Sequence, residues 1–193
     1  QAATYLIRDD ASTFHTYYMD VATGAPRYGN TQQGYADDSC WSRGQAWGIY
    51  GFLLSYIYTG DETMIALSKR LANYFLNRLP EDYVCHWDLA LVGTDALRDS
   101  SSAAIAVCGL LELVKHLPVT DPDRERYLEW AKGIMSTLTK HYLMGKEEKG
   151  NGLLKHSVYH LASNKGVDEC ASWGDYFYVE ALVRFTQSWK LYW

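Results

Sequence analysis

The chain has 193 residues and a mass of 22.0 kDa, the length of one ordinary domain with room for a sizeable core. Its formal charge of −5 and pI near 5.6 exclude a phosphate-gripping basic face, so no nucleic-acid partner is expected. No run approaches the ~20 apolar residues of a membrane span, and no basic segment followed by an apolar one marks a signal peptide, so no membrane partner is expected either.

Aromatic residues make up 15% of the chain, with 16 Tyr, 7 Trp and 5 Phe. Sugar faces pack on such rings, which suits a carbohydrate cleft, although an aromatic-rich helical core accounts for the composition more simply. Cys40, Cys85, Cys108 and Cys170 are scattered without a CxxC pair and read as reduced. The six His form no HExxH motif, and neither a metal nor a cofactor is implied.

In chain order, Gln1–Ile7 reads as the tail of a helix with no cap in front. Arg8–Tyr35 is a polar and aromatic loop or short-strand region punctuated by Gly24, Pro26, Gly29 and Gly34. Asp37, Asp38 and Ser39 are placed to cap a helix from about Trp41 to Tyr58. Gly60-Asp61 ends it, and a second helix runs from about Glu62 to Leu79, stopped by Pro80. The pattern then repeats. A loop over Glu81–Arg98 leads to a cap at Asp99-Ser100 and a nearly continuous apolar helix, Ser102–His116, which must be buried on most sides. Pro118 and Asp121-Pro122 turn the chain into an amphipathic helix, Arg124–Leu143. A glycine-rich loop, Gly145–Gly166, precedes a cap at Ser172 and a last helix from Gly174 to about Tyr192. No sustained period-two strand is expected.

The chain is therefore all-α, built of hairpins whose first helix is small and apolar and whose second is amphipathic. An inner apolar ring wrapped by an amphipathic one is what an α/α toroid requires. The inner-helix starts near Trp41, Ser102 and Gly174 lie 61 and 72 positions apart, so a closed ring of six hairpins would need roughly 350–400 residues. This predicts a partial (α/α)6 barrel, with residues 1–193 forming the C-terminal part of a single toroid domain. An open helical stack is the alternative. Half a ring should leave the apolar faces of Ala103–Leu111 and Ile49–Leu54 uncovered.

The strongest local signal is Gly34–Phe52. Trp41, Arg43 and Trp47 fall in the first two turns of a helix, with Gly44, Gly48 and Gly51 among them. Glycine costs a helix about 1 kcal/mol relative to Ala, so three of them suggest close approach by a backbone or a ligand. An Arg beside Trp47 suits a sugar carboxylate, with a bidentate fork and a stacking surface. The competing reading pairs Arg43 with Asp37 or Asp38 as a structural clamp.

The run DDSCWSRGQAWGIYGF, the block Arg98-Asp99-Ser100-Ser101-Ser102-Ala103-Ala104 and the block from Trp173 to Leu182 together resemble the unsaturated glucuronyl hydrolases, glycoside hydrolase family 88. Gln45-Ala46 stands where the related unsaturated rhamnogalacturonyl hydrolases carry Asn-Gly, which favours the glucuronyl family. The resemblance implies an (α/α)6 barrel and a bacterial enzyme, cytoplasmic or periplasmic. It would remove a 4,5-unsaturated glucuronic acid from lyase-generated glycosaminoglycan-type oligosaccharides by hydrating the vinyl ether, with an Asp protonating C4 and water adding at C5. The family's catalytic Asp and its assisting Asp lie N-terminal to these blocks, so neither has a counterpart here. Asp37, Asp38, Asp88 and Asp99 suit caps and loop structure better than proton transfer to carbon.

What carries over is a substrate shell. His15, Gln33, Arg43 and Trp47 match residues around the unsaturated sugar, and Trp41 shares the signature turn. On its own, a His at the start of such a loop reads as a packing residue. Tyr159, His160, Ser163 and Lys165 form the expected wall for the second sugar. His160 departs there from the Ser-x-x-Ser-x-Lys arrangement of members that prefer sulfated disaccharides. The implied partners are an unsaturated uronic-acid oligosaccharide and the missing N-terminal half of the barrel. The reading from another class is a non-catalytic carbohydrate-binding or structural remnant.

Overall fold

The protein is described by a computed structural model covering residues 1–188 and 191. The elements run α1 (Ala2–Tyr5), β1 (Thr16–Met19), β2 (Pro26–Asn30), α2 (Ser42–Thr59), α3 (Thr63–Leu76), α4 (Ser100–His116), α5 (Pro122–Thr137), β3 (Ser157–His160), β4 (Lys165–Glu169) and α6 (Ser172–Thr186). A π-helical turn, Leu138–Tyr142, continues α5, and a single 3-10 turn, Leu161–Ser163, joins β3 to β4. The expected helices are all present, with ends shifted by a few residues. The expected end of the last one, Tyr192, lies outside the described residues.

Two antiparallel hairpins form, one in the stretch that read as loop or short strand and one in the stretch that read as a glycine-rich loop. β1 pairs with β2, Tyr18 opposite Tyr28, and β3 pairs with β4, Val158 opposite Val167. Both carry a register shift and are four or five residues long, too short to leave a period-two signature.

α2, α4 and α6 lie side by side and parallel. Ser42 meets Ser102 and Gly109 meets Tyr50 between α2 and α4. Gly174 meets Ser101, and Arg184 pairs with Glu112, between α6 and α4. α3 and α5 return antiparallel on the outside: Ser68 donates to the Ile49 carbonyl and Gln45 to that of Leu71, while Arg124 donates to that of Val114. The chain thus forms an arc of (α/α)6 barrel, about half the ring.

α4 is the middle inner helix, and every residue from Ser100 to Leu110 is fully buried. Cover for Ala103–Leu111 therefore comes from within this chain, contrary to the expectation of a bare face there, because α2, α5 and α6 surround it. Ile49, Tyr50 and Leu53 are likewise buried. On the inner helices the exposed apolar side chains are Trp47 and Tyr58 of α2 and Tyr176, Val179, Leu182 and Phe185 of α6.

Capping follows expectation at α4 and departs from it at α2 and α6. Asp99 caps α4 by accepting from the backbone of Ser101 and Ser102, and Asp121 caps α5. Neither α2 nor α6 has a side-chain cap. Asp37 accepts instead from the Thr31 backbone, and Ser172 is already helical. The glycines of α2 give no close approach to another backbone, the first of the two reasons expected for them. A side chain on Gly44 would meet only Trp41, and one on Gly48 would meet Leu71, while Gly51 faces open space. Close backbone approach falls to Gly109 of α4, where a Cβ would lie 3.1 Å from the Tyr50 nitrogen.

Candidate functional site

The N-terminal ends of α2, α4 and α6 converge, and the β3–β4 hairpin lies across them. Asp99, fully buried, uses Oδ1 for the Ser101 and Ser102 backbone and the Ser101 hydroxyl. Its Oδ2 takes the Ser102 hydroxyl at 2.7 Å and Arg43 Nη1 at 2.9 Å. Arg43, only 4% exposed, also donates to the carbonyls of Val158 at 2.6 Å and Tyr159 at 3.0 Å. Its guanidinium lies between the rings of Trp41, at 4.4 Å, and Trp173, at 5.3 Å. Burial works against its positive charge and Asp99 opposes that effect.

The clamp reading of Arg43 therefore holds with a different partner: the carboxylate is Asp99, neither Asp37 nor Asp38. Its stacking partners are Trp41 and Trp173 in place of Trp47. Three of its five N–H donors face protein acceptors, so the fork does not stand open toward a cavity as expected.

The neighbours named from sequence do gather around it. Gln33 Nε2 donates to the Tyr159 carbonyl at 2.5 Å, the same oxygen that Arg43 uses. His15 stacks on Trp41 with ring centroids 4.3 Å apart. Its Nδ1 accepts from the backbone N–H groups of Gln32 and Gln33 at 2.9 and 3.1 Å, so the proton of the neutral ring sits on Nε2. Burial first, then the charge of Arg43 and His160, hold His15 below its ordinary pKa of 6.5. Beside it opens a cleft of about 490 Å3 lined by Leu6, Phe14, His15, Trp41, Trp47 and Gly51. Trp47 belongs to this cleft, edge-on to Phe177 at 5.0 Å.

Tyr159 is half exposed, with its ring 5.6 Å from that of Trp173. His160 and Lys165 are register partners at the tip of the hairpin, and the Ser163 hydroxyl lies 2.7 Å from His160 Nδ1. These residues form one polar edge beside the clustered rings. His156 and His160 stand four apart, but His156 precedes β3 and His160 ends it, and their ring nitrogens face Asp168 and Ser163 separately.

Asp88 is fully buried and accepts from Tyr35, Ser39, Cys40 and Ala90, which makes it a loop knot. Gln45 is another knot, tying the Cys40 thiol to the carbonyls of Ala11 and Leu71. Sequence reasoning missed Asp99 as the partner of Arg43, and Trp173 as its second stacking ring. The available signal was that Trp173 opens the third inner helix much as Trp41 opens the first.

No protein-family model matches the chain. It is 51% identical over 193 residues to the unsaturated chondroitin disaccharide hydrolase of Streptococcus pneumoniae, covering 100% of this chain and 49% of that protein. The unsaturated glucuronyl hydrolase of Streptococcus agalactiae superposes with a TM-score of 0.95 at 50% identity, over 100% of this chain and 49% of that one. A variant of that enzyme complexed with dGlcA-GalNAc6S superposes with a TM-score of 0.88 at 51% identity, over 97% of this chain and 50% of that one. The chain spans about half the length of the relatives it matches.

Proposed function

Along its whole length the chain belongs with the unsaturated glucuronyl hydrolases of glycoside hydrolase family 88, and from that premise we propose that it is the sugar-binding half of such an enzyme. The complete barrel would remove a 4,5-unsaturated glucuronic acid from lyase-generated glycosaminoglycan-type oligosaccharides by hydrating the vinyl ether. The observation that carries this is the gathering of His15, Gln33, Trp41 and Arg43 about the Tyr159 carbonyl. An anionic, planar unsaturated uronate needs a fixed positive charge, neutral hydrogen-bonding groups and flat ring faces. The Nε2–H of His15 supplies a neutral donor and Trp41 and Trp47 the rings, while Arg43, its fork committed to Asp99 and the β3 carbonyls, lends its charge from the buried side without contacting the sugar. Tyr159, His160, Ser163 and Lys165 wall the adjoining position. Lys165 and the Ser163 hydroxyl suit a sulfated second sugar of the kind held by the Streptococcus agalactiae relative.

The general acid belongs to the other half of the barrel, whose contact surface is the uncovered face of α2 and α6. The test is to mix the chain with a polypeptide corresponding to the first half of the Streptococcus agalactiae relative. Loss of the vinyl-ether absorbance of dGlcA-GalNAc6S is then followed. The chain alone should bind the disaccharide without consuming it, and the mixture should consume it. Absence of binding by the chain overturns the sugar-binding role.

A further inference from the structure

We propose that Asp99, which touches no part of the cleft, is a positioning residue for the sugar site: through Arg43 it fixes the β3–β4 hairpin that walls the second sugar. The inference rests on the functional reading above and adds a residue to it. Asp99 divides its two oxygens between two tasks. Oδ1 receives the α4 backbone at Ser101 and Ser102, and Oδ2 receives Arg43. Arg43 in turn grips two consecutive carbonyls of β3, Val158 and Tyr159. The Tyr159 carbonyl is the point at which Gln33, from the loop after β2, also lands. One buried carboxylate thus joins the cap of the central helix, the guanidinium and both sides of the site. The base of the hairpin is held separately, by Ser100 on the His156 and Lys155 carbonyls. Loss of the Arg43 link should therefore shift the outer hairpin without detaching it.

An ion pair this deep stays put because both partners are enclosed and the remaining acceptor sites are filled. In Asp99→Asn the amide oxygen can keep the cap at Oδ1, while the NH2 group replaces the acceptor that faced Arg43 and the Ser102 hydroxyl, and only the hydroxyl can turn to accept from it. The substitution therefore separates capping from positioning.

The experiment is performed on the intact 193-residue chain, comparing wild type, Asp99→Asn, Arg43→Met and the double variant. Backbone amide resonances and the Gln33 side-chain amide are followed by NMR, together with affinity for dGlcA-GalNAc6S per folded molecule. In Asp99→Asn the Ser101 and Ser102 amides should stay in place. The Tyr159, His160 and Gln33 side-chain signals should move, and affinity should weaken about tenfold. The double variant should lose no more than Arg43→Met alone, since the two residues act as one unit. Unmoved hairpin signals, unchanged affinity in Asp99→Asn, or additive losses in the double variant would each overturn the proposal. If the unsubstituted chain does not bind the disaccharide, the functional reading fails, and the hairpin signals alone decide whether Asp99 positions the strand.

Discussion

His15 and Arg43 are the two positions where a single side chain answers to both packing and chemistry. His15 Nδ1 is an acceptor for two backbone N–H groups, so protonating that nitrogen would set three donors against one another. Its folded pKa lies below the unfolded value of 6.5, so the unfolded chain takes up its proton first. The stability this residue contributes is complete above pH 6.5 and is lost as pH falls through the folded pKa. An NMR titration should give His15 a midpoint below 6.5. Between pH 7 and 5 the melting temperature of His15→Gln should fall less than that of the unsubstituted chain. For Arg43→Lys, one ammonium cannot reach Asp99 and two carbonyls in the fork geometry. Denaturant titration should show a loss of about 1–3 kcal/mol, the range for a buried group left unsatisfied. The cation and the rings were legible in the sequence as a motif. Their partners were not, because Asp99 stands 56 positions from Arg43 and Tyr159 stands 116 away, and nothing local encodes a contact made only when three helices meet.

Helices were the easiest elements to read, since α3 and α4 owe their boundaries to hydrophobic spacing and to Pro80, Asp99 and Pro118. The β3–β4 hairpin was hidden because His156 and Asp168 adopt left-handed backbone angles at its base and its paired segment alternates too briefly to register. The helix glycines were legible as a request for space, yet the sequence could not say which ones touch a neighbour. Gly109→Ala should lower stability by about 1–3 kcal/mol, as its methyl would press on the Tyr50 backbone. Gly51→Ala, with nothing within 4 Å of the added carbon, should instead raise the melting temperature, worth up to about 1 kcal/mol from helix propensity alone. Thermal melts of the two variants read both signs.

Across the whole molecule, the arc ends in two unlike apolar edges. α6 shows Tyr176, Val179, Leu182 and Phe185 in a three-residue rhythm, with Val179 47% exposed, and a row of that kind promotes association. Sedimentation velocity of the chain should show concentration-dependent self-association, and Val179→Lys with Leu182→Lys should reduce it. The ring architecture was legible from the alternation of apolar and amphipathic helices. Which inner helix would be enclosed was not, since that depends on position within the arc, and α4 holds the centre. That central placement has a kinetic corollary. Its two inner neighbours lie far along the chain, Ser42 60 positions before Ser102 and Arg184 72 positions after Glu112, so its shelter is complete only once distant segments have packed, the circumstance in which folding is slow. Its amides can meet solvent only when neighbours on both sides let go together. Under native conditions the slowest-exchanging hydrogens should therefore cluster between Ala103 and Leu110, at the rate of global opening, while α1 and the last turn of α6 exchange through local fraying.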